Sequence, residues 1–127
     1  MVQFLKIIFH ISLLLLIIIS LYPGSLIGLL IYDDLGQQPI LIQTPLGSTI
    51  NHFFSYFYVG LLGFFTYTKK EDFKVVTIVL IFLSIALEFF QLIVPKRSFE
   101  HNDIIANILG LILAYLIIKI YLLINKL

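Results

Sequence analysis

The stretch Glu88-Phe-Phe-Gln91, followed by Pro95-Lys-Arg97 and then by Asp103-Ile-Ile-Ala-Asn107-Ile-Leu-Gly110, constrains this chain more than any other. It sets acids, amides and an arginine at the facing ends of two segments that are otherwise hydrocarbon. Polar side chains in such surroundings are costly unless they find partners. A fold that keeps so many of them must bring them together.

The surroundings are apolar throughout. Of 127 residues, 61% are hydrophobic and 12% charged, whereas a soluble domain carries about 25% charged residues and covers its surface with them. The chain therefore reads as one integral membrane domain, residues 1–127. A net charge of +1 offers no basic stripe for nucleic acid. The absence of cysteine excludes disulfides and thiolate metal sites. Tryptophan is also absent, so the seven tyrosines are left to form a conventional interfacial aromatic belt.

A helix needs roughly 20 apolar residues to cross the hydrocarbon core. Four stretches approach that length, at about 4–21, 50–67, 73–94 and 104–124. The first begins like a signal peptide, with Lys6 ahead of an apolar run, but no small-x-small cleavage site follows and an uncleaved span is expected. Within the connection 22–49, the greasy run 26–32 is too short to span. It fits a segment lying on the membrane or a lid against the other helices. Pro39, Pro45 and Gly47 then interrupt regular structure, and Gly47-Ser48-Thr49 offers capping oxygens to the next helix. The expected architecture is all-α: a polytopic bundle of about four transmembrane helices with a partly membrane-associated first outer loop.

Lys6, the group Lys69, Lys70 and Lys74, and Lys119 with Lys126 place both termini and the second connection on the cytoplasmic side by the positive-inside rule. The first connection has Asp33 and Asp34 and no Lys or Arg. Lys96 and Arg97 break the rule: either the topology is reversed or they are kept for another purpose, and the agreement of the other charges favours the second. On this topology three helices present polar groups at one outer level: Asn51, His52 and Tyr56 from the second span, Glu88 and Gln91 from the third, Asp103 and Asn107 from the fourth. Glu88 and Gln91 are three apart, while His52 and Tyr56, and Asp103 and Asn107, are four apart, so each pair shares a helix face. Gly60 continues the His52–Tyr56 stripe, and Gly110 and Ala114 continue that of Asn107, as small residues at packing spacing.

A carboxyl, an imidazole and a guanidinium at one level can bind a phosphate or carboxylate headgroup, with Arg97 as the bidentate anion clamp. The same groups can perform acid–base chemistry, with Glu88 or His52 as base. They can also form an ion-pair network that only fixes helix register, with Gln91 and Asn107 as interhelical hydrogen-bonding groups. His10 reads as a satisfied or snorkelling histidine, and His101 as solvated. No nucleophilic Ser or Cys is anchored in the pattern, and no metal-ligand spacing such as H-E-x-x-H occurs, so no metal and no cofactor is expected from sequence spacing. His52, Glu88 and Asp103 remain able to gather a metal in space.

The order His52 and Tyr56, Glu88-x-x-Gln91, Arg97, then Asp103-x-x-x-Asn107-x-x-Gly110 resembles the VanZ-like family of small bacterial membrane proteins, over about 48–118. Where that family commonly carries Asp-Lys ahead of the histidine, this chain has Ser48-Thr49, so Arg97 or Lys96 must supply the cationic chemistry alone. The founding member is associated with low-level resistance to the glycopeptide teicoplanin. The resemblance implies a bacterial plasma-membrane location and a link to the cell envelope and, through it, to glycopeptide susceptibility; it does not carry over resistance itself. The leading expectation is binding of an amphiphile or lipid headgroup at an outer-face polar site, without catalysis. The alternatives are an intramembrane hydrolase or transferase acting on a lipid-linked envelope precursor, and a structural or partner subunit. Transport by four short spans would require a homo-oligomer.

Overall fold

The computed structural model describes residues 2–40, 42–43, 45 and 47–125; Lys126, counted above among the basic residues, lies outside them. All regular structure among the described residues is helical: α1 (Val2–Leu21), α2 (Leu26–Tyr32), α3 (Thr49–Thr66), α4 (Lys70–Phe90) and α5 (His101–Ile124). A 3-10 turn, Gln91–Ile93, tightens the end of α4.

Three helical segments are long and apolar enough to cross a membrane: Gln3–Leu21 in α1, Lys70–Ile93 in α4 with its 3-10 turn, and His101–Ile124 in α5. Of the four spans expected from sequence, three are matched by such segments. The remaining long helix, α3, has 18 residues but carries Asn51, His52, Ser55, Tyr56 and Tyr58, and their polarity dilutes its apolar character. Its position accounts for that composition. It packs most extensively against α5 and also touches α1 and α4, burying Tyr56, Val59, Gly60, Gly63 and Phe64. By contrast, Phe9 is the buried core residue of α1, whose Ile7, Ile11, Leu14 and Leu15 are exposed as expected of a hydrocarbon-facing surface.

Two small residues set the α3–α5 approach. A Cβ at Gly110 would collide with the carbonyl oxygen of Phe53 and the amide nitrogen of Phe57. A Cβ at Gly60 would lie 2.9 Å from Cβ of Ala114. The helix backbones can approach only because side chains are missing there. Beyond them the apolar core closes at one end of the bundle, where Phe64 stacks on Phe73 at 5.1 Å and Tyr115 stands edge-on to Phe64 at 5.7 Å.

Basic side chains gather at that same end. Lys6 lies 5.4 Å above the ring of Tyr67, and Lys119 lies 5.4 Å from the ring of Phe73 and 5.6 Å from that of Tyr115. Each apolar stem follows the bundle while its ammonium rests on an aromatic face. At the opposite end, α2 begins at Ser25, whose hydroxyl accepts from the Gly28 N–H at 2.9 Å. It ends at Asp33 in a left-handed conformation, φ 55°, with the Asp33 N–H returned to the Gly28 and Leu29 carbonyls. The run 26–32 is thus a capped helix of about two turns with Leu30, Ile31 and Tyr32 exposed. One local expectation is corrected. The Ser48 hydroxyl makes no capping bond to α3; its residue is already in a helical conformation, and its carbonyl takes the Asn51 N–H at 2.9 Å.

Candidate functional site

The polar residues of α3, α4 and α5 meet at the end of the bundle away from Lys6 and Lys119. His52 is the hub. Its Nδ1 lies 3.3 Å from Oδ1 of Asn107 and 4.0 Å from Oε2 of Glu88, and its Nε2 lies 3.4 Å from Oδ2 of Asp103. Glu88, Gln91, Asp103 and Asn107 are all buried, and His52 is only 15% exposed at its side chain.

Asn107 can be oriented without ambiguity. Its Nδ2 donates to the Ser84 carbonyl at 3.2 Å, so the other amide atom, turned toward His52, is the oxygen. That oxygen accepts, which assigns the imidazole proton to Nδ1. The lone pair of Nε2 in neutral His52 then faces the Asp103 carboxylate. Ser84 was missed in reading the sequence, although it stands four residues before Glu88 and seven before Gln91 on one helical stripe. Its hydroxyl returns to the Ile81 carbonyl at 2.7 Å, which lets a polar side chain sit at 0% exposure.

Glu88 accepts the Glu100 N–H on Oε1 at 3.2 Å. Its Oε2, and Oδ1 of Asp103, are buried without a hydrogen-bond partner. Two orphaned carboxylate oxygens are an unusual expense in a buried site, because each forfeits water without replacement. One donor atom from each of His52, Glu88 and Asp103 lies within 4.8 Å of the others; of the residues foreseen from sequence, these three could hold a metal.

Tyr56 stands one turn deeper, its hydroxyl 3.5 Å from the Leu83 carbonyl. Gln91 and Arg97 line two adjoining clefts together with His52, Ser25 and Gln38. One cleft extends along Leu16, Ile19 and Ile27 toward the apolar flank of α1 and offers a volume of about 80 Å³. The other is walled by Lys96, Ser98, Glu100 and Asp103, and also by Ser48.

Arg97 is more committed than its expected role as an anion clamp implied. Its Nε donates to the Tyr22 carbonyl at 3.2 Å and its Nη2 to the Ile19 carbonyl. It therefore satisfies carbonyls at the C-terminal end of α1, where the helix dipole favours a cation. Burial lowers its pKa from the ordinary value, while the carboxylates of Glu88 and Asp103 act in the opposite direction; the guanidinium stays charged at physiological pH. Five N–H donors exceed the two bonds made to α1, and the rest of the fork borders the clefts. The two other histidines stand apart: the ring of His10 meets the Lys6 carbonyl at 2.7 Å, and exposed His101 packs edge-on against Phe99 at 4.9 Å.

A family model described as VanZ/LLP1 matches residues 4–123, nearly the whole chain. No curated protein and no solved structure matches it.

Proposed function

The chain belongs to the VanZ/LLP1 family, and from that premise we propose that it is a membrane protein of the bacterial cell envelope that binds the polar headgroup of an amphiphile at the outer face of the plasma membrane. One observation carries this reading: the two clefts share Ser25, Gln38, His52, Gln91 and Arg97, and join a polar wall to an apolar one. A headgroup bearing phosphate or carboxylate would meet the free part of the Arg97 fork and Lys96. Its hydrocarbon would follow Leu16, Ile19 and Ile27 toward lipid. In this reading α3 serves as a fourth, internal span, and α2 lies at the interface beside the headgroup.

The charge distribution supports the orientation. Lys6, Lys69, Lys70, Lys74 and Lys119 belong to the end away from the clefts, which the positive-inside rule assigns to the cytoplasm. Lys96 and Arg97 then need a reason to face outward. Bonds to the end of α1 supply one for Arg97, and the headgroup supplies another. A link to teicoplanin susceptibility would follow indirectly, through altered surface chemistry.

Lipid mass spectrometry on the purified protein tests the reading, with wild type beside Arg97→Ala and Lys96→Gln. Wild type is expected to retain an anionic or zwitterionic amphiphile that both variants release. An unchanged lipid complement in both variants, with the helices intact by circular dichroism, overturns it.

A further inference from the structure

The geometry points to a divalent transition-metal site of the zinc class, formed by His52, Glu88 and Asp103 with an open coordination position toward the polar cleft. This goes beyond headgroup binding and stands on different observations. Three donors of the right kinds converge from three helices, within 4.8 Å of one another. The chemistry of an imidazole nitrogen with two carboxylate oxygens suits zinc and its neighbours in the first transition row.

The surrounding bonds are those that a metal-binding histidine requires. A histidine that ligates through one nitrogen usually donates the other N–H to an oxygen that fixes its ring. Asn107 provides that oxygen, and Asn107 is itself locked by the Ser84 carbonyl. The free nitrogen, Nε2, is thereby aimed at Asp103 Oδ2 at 3.4 Å. Two atoms each about 2.0–2.1 Å from a tetrahedral zinc are roughly 3.3 Å apart. The spacing suits two ligands of one ion.

The unpartnered oxygens supply the second observation. Glu88 is 1% and Asp103 5% exposed, yet Oε2 of the first and Oδ1 of the second have no hydrogen-bond partner. A divalent cation would satisfy both carboxylates and balance their charge beside neutral His52. Glu88 is already steadied through Oε1 by the Glu100 N–H; its Oε2 lies 4.0 Å from His52 Nδ1 and has to turn toward Nε2 to join the ion. Three protein ligands with a fourth position toward a solvent-open cleft is the arrangement of zinc sites that bind an exchangeable water or ligand.

The test uses the full chain in detergent, with the exposed histidines replaced (His10→Gln, His101→Gln) so that His52 is the last of three. After chelator treatment, Zn²⁺ is added, the sample is desalted, and metal and co-purifying lipid are both measured. One zinc per chain is expected, lost in Glu88→Gln and in Asp103→Asn and bound at least roughly 10-fold more weakly in Asn107→Ser. Zinc that fails to remain with the parent chain, or that remains equally in both acid variants, overturns the site. Should the variants not fold, Co²⁺ added to the parent chain decides the matter. Visible bands of nitrogen–oxygen cobalt coordination that Zn²⁺ displaces support the site, and their absence refutes it. Lipid retained without zinc would leave the headgroup reading standing and remove this one.

Discussion

Arg97 is hydrogen-bonded to the carbonyl of Ile19, 78 residues earlier in the chain, and so joins the loop between α4 and α5 to the end of α1. Charge-assisted hydrogen bonds contribute about 1.5–3 kcal/mol each where they are shielded from water. Arg97→Ala is expected to lower the thermal midpoint of the purified protein by an amount corresponding to roughly 2 kcal/mol. Arg97→Lys should recover part of that through its charge near the helix end but not the two-point fork. Equal midpoints for all three proteins would show that the bond to α1 adds nothing.

The contact between Gly60 and Ala114 gives a paired prediction. Gly60→Ala places a methyl 2.9 Å from Cβ of Ala114, and overpacking of this kind costs about 1–3 kcal/mol. Adding Ala114→Gly should restore most of the loss, because the second change vacates the space the first one needs. Gly110→Ala has no such remedy, since its methyl meets the backbone of Phe53 and Phe57. Denaturation of the four proteins in one detergent measures the set.

Asn107 and Ser84 share a hydrogen bond but should respond very differently to substitution. Ser84 accepts with its backbone carbonyl, so Ser84→Ala leaves the bond in place and should change stability by less than about 1 kcal/mol. Asn107→Leu removes that bond and leaves the buried His52 N–H without its acceptor, a loss of about 1–3 kcal/mol. If the two variants melt together, the orientation assigned to Asn107 is wrong.

Orientation can be read by chemical labelling. The chain has no cysteine, so single replacements are free of background. Gln37→Cys, beside α2, is expected to react with a membrane-impermeant maleimide on intact cells. Glu71→Cys, at the start of α4, should react only after the membrane is opened. The reverse pattern would turn the clefts toward the cytoplasm.

Much of this was legible in the sequence because hydrocarbon length and helical spacing are strong signals. The stretches expected at 73–94 and 104–124 correspond to helical segments at Lys70–Ile93 and His101–Ile124, and the short run 26–32 is α2. The meeting of His52, Glu88, Asp103 and Asn107 followed from topology together with spacings of three and four. What could not be read were bonds whose partner is a backbone atom. Neither the Ile19 carbonyl under Arg97 nor the Ser84 carbonyl under Asn107 has any side-chain signature. The Ser48 hydroxyl carried the opposite lesson: a good capping residue makes no cap when its own backbone has already entered the helix. The failure of α3 to match the other three in hydropathy is a burial effect, since its polar groups answer to α4 and α5 rather than to lipid.

That arrangement sets an order of assembly. α3 leaves the ribosome before α4 and α5, yet Asn107 and Asp103 of α5 are the partners that make His52 tolerable in the interior. Before α5 is made, α3 can set His52 and Tyr56 only against Glu88 and the Leu83 carbonyl of α4. α5 sets an oxygen beside each ring nitrogen of His52, and so completes polar surroundings for α3 that α4 alone leaves half-met.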